Sequence, residues 1–273
     1  MMRSTAKLRY LEAPARPVTI SGRPGQVAGT LVLLHAFPLN AHMWEPQLAL
    51  ADRGWRVIAP HFRGFDGASI VPDPTKMDDY AGDVVDLLDA LQIHDAVIGG
   101  LSMGGYAALA LVRHAHQYIR GLILADSRSQ ADSPEARQGR ENMIVLVREK
   151  GASAIADEMV PRLLGESTRR DNAVVVDRVR SLIRSSSPDA IEGAIRALMT
   201  REDSTPLLSK VHVPTLIVVG EEDVLTPPAL SEEMHRGIVA SELVRIPKAG
   251  HLSSLEQPEA FNAAVGRFLS HRL

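Results

Sequence analysis

The residue of this sequence that is best placed to act as a nucleophile is a serine among glycines. Ser102 lies in Gly100-Leu101-Ser102-Met103-Gly104-Gly105, between an apolar run and an Ala- and Leu-rich helical pattern. A serine between a strand and a helix must make a very tight turn, and small neighbours are needed where the two ends nearly touch. The turn exposes the hydroxyl beside the positive end of the helix. This context predicts a nucleophile elbow; the alternative is a glycine-rich connection whose serine has no chemical role.

A serine hydroxyl needs a base, and the usual base is a histidine oriented by a carboxylate. Of the ten histidines, His251 follows the last predicted strand, and Asp223 follows the strand before it. Ser102 leaves the same carboxyl edge of the sheet, where open α/β sheets bind ligands. Taken singly, Asp223 has an alternative role as a helix cap and His251 as a turn residue. Their order and shared edge favour a triad of Ser102, Asp223 and His251, although Asp126, at the end of another strand, is an alternative acid.

A tetrahedral oxyanion needs hydrogen-bond donors aimed at it in advance. The backbone N–H of Met103 directly follows the nucleophile at the start of the helix. The second donor is expected from the loop His35-Ala36-Phe37-Pro38-Leu39-Asn40 after an early strand. Proline has no N–H, so Phe37 is the predicted donor. We interpret His35 as a residue that braces this loop rather than as a catalytic group.

The elements that must position these residues alternate between strands and helices. Short apolar runs bounded by Gly and Pro are typical of strands covered on both faces, and they occur at 30–35, 56–60, 95–100, 119–125, 214–220 and 242–247. Helical patterns lie between or after them, at 77–91, 103–116, 227–237 and 258–269. This alternation predicts an α/β fold with a mainly parallel sheet and helices on both faces. Residues 7–19 are less regular, and we expect one or two antiparallel edge strands there.

The alternation stops between residues 128 and 208, where helical patterns run through 134–150, 152–164, 168–184 and 188–200. We therefore predict an all-helical cap at 128–208, inserted into a core formed by 1–127 and 209–273. None of the eleven aromatic residues lies between positions 119 and 260, so the roof of the cleft is expected to be aliphatic and methionine-rich. Such a roof favours short to medium aliphatic acyl groups or compact lactones over aromatic acyl groups. Aromatic rings near the site are expected from the core, at Phe37, Trp44 and Tyr106.

Composition narrows the function classes. The 273 residues include 33 acidic and 30 basic side chains and no cysteine, which excludes disulfides and a cysteine nucleophile and gives no sign of a nucleic-acid partner. No apolar run approaches the roughly 18 residues of a membrane span, and the amino terminus lacks the apolar core of a secretory signal. We therefore expect a cytoplasmic protein with no membrane partner. No phosphate-binding loop, HExxH zinc helix or GxGxxG dinucleotide motif occurs.

Five blocks resemble the α/β-hydrolase superfamily, in the branch with a helical cap, over nearly the whole chain. They are HAFPLN (35–40), RVIAPHFRGFDGAS (56–69), GLSMGG (100–105), PTLIVVGEED (214–223) and AGHL (249–252). Similar members include carboxylesterases, 3-oxoadipate enol-lactonases and the cofactor-free haloperoxidases that double as perhydrolases. The resemblance implies the same triad, with Phe37 and Met103 as the oxyanion donors. One position departs from the family pattern: Ala36 stands where glycine is common, and alanine disfavours a positive φ.

The resulting hypothesis is a serine hydrolase that acts on a small carboxylic ester or lactone through an acyl-enzyme, with no cofactor and no metal. A perhydrolase would use an identical triad, and a ligand receptor on the same fold would bind without turnover; the sequence leaves both open. It also leaves open whether the chain forms homo-oligomers. Arg63, in the loop after a strand, is interpreted as part of a structural ion pair, with an anionic substrate group as the alternative partner.

Overall fold

The computed structural model describes residues 2–4, 8–20, 23–65 and 75–273. Positions 66–69 of the second resemblance block and Lys7 of the predicted edge segment lie outside these residues. The strands within the described ranges are β1 (Met2–Ser4), β2 (Arg9–Ala13), β3 (Val18–Ile20), β4 (Arg23–Gln26), β5 (Gly29–Leu34), β6 (Trp55–Pro60), β7 (Ala96–Leu101), β8 (Ile119–Ala125), β9 (Thr215–Gly220) and β10 (Ser241–Ile246).

Eight of these strands form one sheet in the order β1-β2-β6-β5-β7-β8-β9-β10. The pairs from β6 to β10 are parallel, whereas β1 and β2 pair antiparallel at one edge. The prediction of a mainly parallel sheet is therefore confirmed. β2 lies inside the segment expected to hold antiparallel edge strands, and β3 and β4 form a separate two-stranded sheet.

The strand β10 corrects one expectation from the hydrophobic pattern. Its apolar run predicts a strand covered on both faces, but β10 is the outer strand of the sheet and Ile246 is its only buried residue. Leu243 and Val244 remain half-buried because a strand at the edge has a neighbour on one side only. The central strands β7 and β9 are buried along their whole length.

The α-helices of the described residues are α1 (Met77–Ala90), α2 (Met103–His114), α3 (Pro134–Leu163), α4 (Glu166–Asp171), α5 (Ala173–Arg184), α6 (Pro188–Thr200), α7 (Pro228–Gly237), α8 (Ser253–Glu256) and α9 (Pro258–Arg272). 3₁₀ helices span Ala41–Arg53, His116–Tyr118 and Thr205–Lys210. Helix α2 packs on β5, β7 and β8 with α1 beside it, whereas α9 packs on β9, β10 and the 3₁₀ helix Ala41–Arg53. The predicted helices of the core are thus present, most with bounds shifted by a few residues.

Between β8 and β9 the chain forms helices and no strand. The four helices α3 to α6 pack on one another, and we call the segment 128–208 that contains them the cap. Gly151 interrupts α3 with a φ of 71°, so the two predicted helices meet there without a loop. The single helix predicted over 168–184 is divided at Asn172, whose side chain accepts a hydrogen bond from the Val175 N–H and begins α5.

Hydrogen bonds join the cap to two loops of the core. Asn40 Nδ2 donates to Ser185 Oγ at 3.0 Å, and Ser167 N–H donates to Glu222 Oε2 at 2.8 Å. The cap is therefore attached to the loops that follow β5 and β9. Across the described ranges, no helix is long and apolar enough to cross a membrane.

Candidate active site

Ser102 occupies the turn between β7 and α2 with the strained backbone that the sequence context predicts. Its φ of 53° and ψ of −111° lie outside the regions favoured by residues with a Cβ. The neighbouring backbone segments are in close contact: a side chain at Gly100 would collide with the backbone of Gly104, and one at Gly104 would collide with that of Leu34. Glycine is required at both positions because strand and helix approach more closely than any Cβ permits.

The structure brings Ser102, His251 and Asp223 into one hydrogen-bonded series. Ser102 Oγ lies 2.8 Å from His251 Nε2, and His251 Nδ1 lies 2.9 Å from Asp223 Oδ2. His251 and Asp223 are buried, whereas Ser102 is partly exposed. The histidine can therefore accept the serine proton at one nitrogen while the carboxylate orients the other.

Asp223 is held as a carboxylate by donors from its own turn. The N–H groups of Leu225 and Thr226 donate to Oδ1 at 2.8 and 2.9 Å, and Thr226 Oγ1 donates to Oδ2 at 2.6 Å. Burial alone would raise the pKa of Asp223, but the charge of His251 and these hydrogen bonds outweigh it, so the pKa lies below its usual value. Sequence reasoning missed Thr226; the signal was an Asp followed three residues later by a hydroxyl residue, a common turn pattern.

Asp126, the alternative acid, lies at the end of β8 but bonds elsewhere. Its Oδ1 accepts from the Gly220 N–H at 2.8 Å, and its Oδ2 is hydrogen-bonded to the Ser253 hydroxyl. Burial, followed by the negative charge of Asp223, raises the pKa of Asp126 well above its usual value. The geometry therefore favours Asp223 as the partner of the histidine, and Asp126 as a group that ties the end of β9 to the start of α8.

A second buried carboxylate that the sequence did not indicate holds the histidine loop. Glu256 Oε1 accepts from the N–H groups of Gly250 at 2.9 Å and Leu252 at 3.1 Å, which flank His251. Its Oε2 accepts from the Gly165 N–H of the cap at 2.8 Å. Burial raises the pKa of Glu256 despite these donors. One side chain therefore joins the histidine loop to the cap.

Phe37 and Met103 present backbone N–H groups with no acceptor among the described residues. Phe37 lines the same cavity as Ser102 and His251, and Met103 begins α2 directly after Ser102. The departure at Ala36 has a simple explanation, because Ala36 does not adopt a positive φ and the loop does not require glycine there. The two N–H groups remain free to bind an oxyanion.

His35 and Arg63 have structural partners, in agreement with the sequence interpretation. His35 Nε2 accepts from the Phe62 N–H at 3.0 Å, and its Nδ1 donates to the Ala36 carbonyl at 3.0 Å. Burial lowers the pKa of His35 to about 3, so the ring is neutral. Arg63 makes a bidentate ion pair with Asp83, in which Nε donates to Oδ2 at 2.6 Å and Nη2 donates to Oδ1 at 2.7 Å.

A cavity of about 620 Å³ lies between these residues and the cap. Leucine and methionine side chains of the cap line it as expected, among them Met143, Leu146, Met159 and Leu163. The expectation of an apolar roof is nevertheless wrong, because charged cap residues line the same cavity, namely Arg128, Asp132, Glu135, Arg140, Glu158 and Arg162. The sequence pattern missed them because alternating charges on helices are usually solvated. Phe37 and Tyr106 line the cavity as expected, whereas Trp44 is buried against Phe261 and does not.

The cavity carries no evident metal site. Among residues 2–4, 8–20, 23–65 and 75–273, no group of three histidine, aspartate or glutamate side chains is arranged to hold a metal ion.

Comparison with known proteins agrees with the resemblance. A family model described as the alpha/beta hydrolase fold matches residues 29–258. The chain is 30% identical to 3-oxoadipate enol-lactonase 2 of Acinetobacter baylyi over 235 residues, covering 86% of each protein. It is also 30% identical to a pimeloyl-[acyl-carrier protein] methyl ester esterase of Neisseria meningitidis, covering 87% of this chain and 91% of that one. A thermophilic esterase from Thermogutta terrifontis, solved with malate bound, superposes with a TM-score of 0.88 at 37% identity, covering 96% and 93%.

Proposed function

The chain belongs to the α/β-hydrolase family, and we propose that it is a serine hydrolase that cleaves carboxylic esters or lactones through an acyl-enzyme. The observation that supports this most strongly is the series Ser102 Oγ, His251 Nε2, His251 Nδ1, Asp223 Oδ2, with spacings of 2.8 and 2.9 Å. A nucleophile, a base and an orienting acid in hydrogen-bond contact are the groups that acyl transfer needs. The esterase and lactonase relatives fit the same reaction class.

In the first half of the proposed reaction, His251 Nε2 accepts the hydroxyl proton as Ser102 Oγ attacks the carbonyl carbon. The carbonyl oxygen becomes an oxyanion, which the N–H groups of Phe37 and Met103 stabilise. Asp223 stabilises the imidazolium and keeps Nδ1 protonated. The bond to the leaving oxygen then breaks as His251 donates its proton to that oxygen, which in a lactone stays attached to the acyl chain.

In the second half, water replaces the leaving group. His251 takes a proton from water, the resulting hydroxide attacks the acyl-enzyme carbonyl, and the same two N–H groups hold the second oxyanion. Collapse of this intermediate returns the proton to Ser102 Oγ and releases the acid. Hydrogen peroxide in place of water would yield a peracid, so the perhydrolase alternative differs only at this step.

The test is a panel of small esters and lactones assayed with the wild-type chain and with Ser102→Ala, each with and without hydrogen peroxide. We expect ester or lactone turnover that depends on Ser102, with acid as the product. Peracid formation faster than hydrolysis would favour the perhydrolase. Binding or a single acylation without turnover would favour a ligand receptor and contradict the proposal.

A further inference from the structure

Three arginines surround one buried aspartate in the cap. The Asp132 side chain has no exposed surface, and it contacts Arg128 Nη2 at 2.8 Å, Arg140 Nε at 3.3 Å and Arg201 Nη1 at 2.8 Å. Burial would raise the pKa of Asp132, but the charges of Arg140 and Arg201 outweigh it and hold the pKa below its usual value. The aspartate is therefore ionised, and its one negative charge leaves two of the three arginine charges unneutralised within the cluster.

Arg201 and Arg140 differ in how many of their guanidinium nitrogens have a hydrogen-bond acceptor. Arg201 is buried, donates to the carbonyls of Leu198 and Gln130, and lies with its guanidinium 4.3 Å from the centre of the Tyr106 ring. It therefore anchors Asp132 between α6 and the core. Arg140 has only its Nε hydrogen-bonded, and neither of its Nη groups has an acceptor among the described residues.

Arg140 is one of the side chains that line the active-site cavity. Arg140, Arg128 and Asp132 line the cavity that Ser102 and His251 also line. The Arg140 guanidinium lies 6.0 Å from the centre of the Phe37 ring, the residue whose N–H we assign to the oxyanion hole. The positively charged Arg140 thus lines the same cavity as the proposed nucleophile and lies near the Phe37 side chain.

The other charged side chains that line the cavity do not neutralise the charge of Arg140. Glu135, Glu158 and Arg162 are exposed, so water and salt screen them, whereas Asp132 is buried and Arg140 is only partly exposed. A positive charge that is partly buried has a free-energy cost unless an anion pairs with it. The inner part of the cleft is therefore electrostatically suited to an anionic ligand.

Building on the proposed function, we propose that Arg140 binds a carboxylate carried by the substrate. Its two free Nη groups form a planar fork that matches both oxygens of a carboxylate, and Asp132, backed by Arg128 and Arg201, fixes the orientation of the fork. The substrate class is then a monoester of a dicarboxylic acid, or a lactone bearing a carboxylate. The aliphatic residues of the cavity would contact the methylene groups between the two ends.

The test compares two substrates of equal shape and different charge. Mono-p-nitrophenyl adipate carries a distal carboxylate, and its adipamate counterpart carries a neutral carboxamide. We expect wild type to hydrolyse the anionic ester at least tenfold more efficiently in kcat/KM. Arg140→Gln should lower kcat/KM for the anionic ester by about 10- to 100-fold and for the amide by less than threefold, because a charge-assisted pair is lost only in the first case.

The matched control is Arg137→Gln, which removes an exposed arginine from the same helix and should leave both rates unchanged. Arg140→Lys keeps the charge but loses the fork, and should fall between Arg140→Gln and wild type. Equal rates for the two esters in wild type, or equal losses for both in Arg140→Gln, would overturn the carboxylate site.

A binding measurement separates this proposal from the hydrolase proposal. By titration calorimetry, adipate should bind the wild-type chain at least tenfold more tightly than hexanoate, and Arg140→Gln should remove the difference. If adipate binds more tightly in this way but no Ser102-dependent turnover is found, the carboxylate site is retained and the hydrolase proposal is rejected. If Ser102-dependent turnover is found but adipate and hexanoate bind equally, the hydrolase proposal is retained and the carboxylate site is rejected.

Discussion

The floor and the roof of the cleft both contain buried acidic residues, but they use them differently. On the floor, Asp223, Asp126 and Glu256 each accept hydrogen bonds from backbone N–H groups at the ends of strands and loops. In the roof, Asp132 is surrounded by arginine side chains. Acids that receive backbone donors fix the position of a loop, whereas an acid outnumbered by arginines leaves positive charge available to a ligand. The floor is thus arranged for chemistry and the roof for selection.

The two regions also differ in how their residues are connected along the chain. On the floor, Ser102, Asp126 and Asp223 follow the carboxyl ends of the neighbouring strands β7, β8 and β9, and the parallel sheet brings these ends to one edge. Of the roof residues, Arg128 and Asp132 lie in the segment between β8 and α3, Arg140 lies on α3 and Arg201 directly follows α6, so the packing of these segments decides which side chains meet. We therefore expect substitutions on the floor to affect every substrate, and substitutions in the roof to depend on the substrate.

The largest effect is expected at the nucleophile of the floor. Ser102→Ala should lower kcat by about 10⁴-fold or more for every substrate, because the remaining groups cannot form the acyl-enzyme. A fluorophosphonate probe should label wild type at one site and leave the variant unlabelled. Ser181→Ala, at an exposed cap position, serves as the control with normal labelling. Labelling that persists in Ser102→Ala would refute the assignment.

The next comparison is between the two aspartates of the floor. Asp223→Asn should lower kcat by about 10⁴-fold, because an amide no longer stabilises the imidazolium or selects its tautomer. Asp126→Asn should lower it less than tenfold, since Asp126 does not contact His251. Steady-state assays of the two variants, side by side, measure the difference. Retained activity in Asp223→Asn with collapse in Asp126→Asn would reverse the roles.

A smaller effect on all substrates is expected at Glu256. In Glu256→Gln, one end of the side chain becomes an NH₂ group, which cannot accept from an N–H that the carboxylate served. An unsatisfied buried donor costs about 1–3 kcal/mol, so we expect a lower free energy of unfolding and a kcat reduced about tenfold through a displaced His251. Urea unfolding and steady-state kinetics test this, with Glu259→Gln at an exposed position of α9 as the control. Unchanged kcat in a destabilised variant would limit Glu256 to a structural role.

The two aspartates should also give opposite pH dependence of stability. The raised pKa of Asp126 means that the folded chain keeps a proton that the unfolded chain releases above about pH 4, so its contribution to stability falls as pH rises from there. The lowered pKa of Asp223 means that its contribution is present above about pH 4 and is lost as pH falls through the folded-state pKa.

Urea unfolding between pH 3 and 8 measures both contributions. The stability deficit of Asp126→Asn relative to wild type should shrink with rising pH, by up to about 1.4 kcal/mol per pH unit, and that of Asp223→Asn should shrink toward acid pH. Parallel profiles for the two variants would contradict the pKa assignments.

The smallest effect concerns the aliphatic part of the roof. Each methylene buried against Met143, Leu146, Met159 or Leu163 should add up to about 0.8 kcal/mol, or roughly fourfold in kcat/KM, until the cavity is full. A series of neutral p-nitrophenyl esters from acetate to decanoate, with benzoate included, measures this. Benzoate as the best substrate, or a rate that still rises at decanoate, would show that the roof does not close over the acyl chain.

Much of the floor could be predicted from local patterns. The apolar runs located the central strands, and the glycines around Ser102 indicated the strained turn, because its conformation depends on residues adjacent in sequence. Predictions from the sequence were less accurate where burial or position depends on which other elements pack against a residue. The pattern for β10 resembled that of a buried strand, and only the sheet order revealed it as the outer one. Trp44 was expected near the site for its type and region, but packing placed it against Phe261.

The sequence by itself determined the alternation of strands and helices, the serine turn and the order Ser102, Asp223, His251, because hydrophobic period, glycine spacing and position at a strand end are local properties. Tertiary structure alone decided which aspartate contacts the histidine, since β8 and β9 are neighbours and an aspartate follows each of them at the same edge of the sheet. It also decided that Glu256 reaches both the cap and the histidine loop, and that Asp132 lies among three arginines. The contacts of Glu256 with Gly165 and of Asp132 with Arg201 join residues far apart in the chain, and no local pattern records the packing that brings them together.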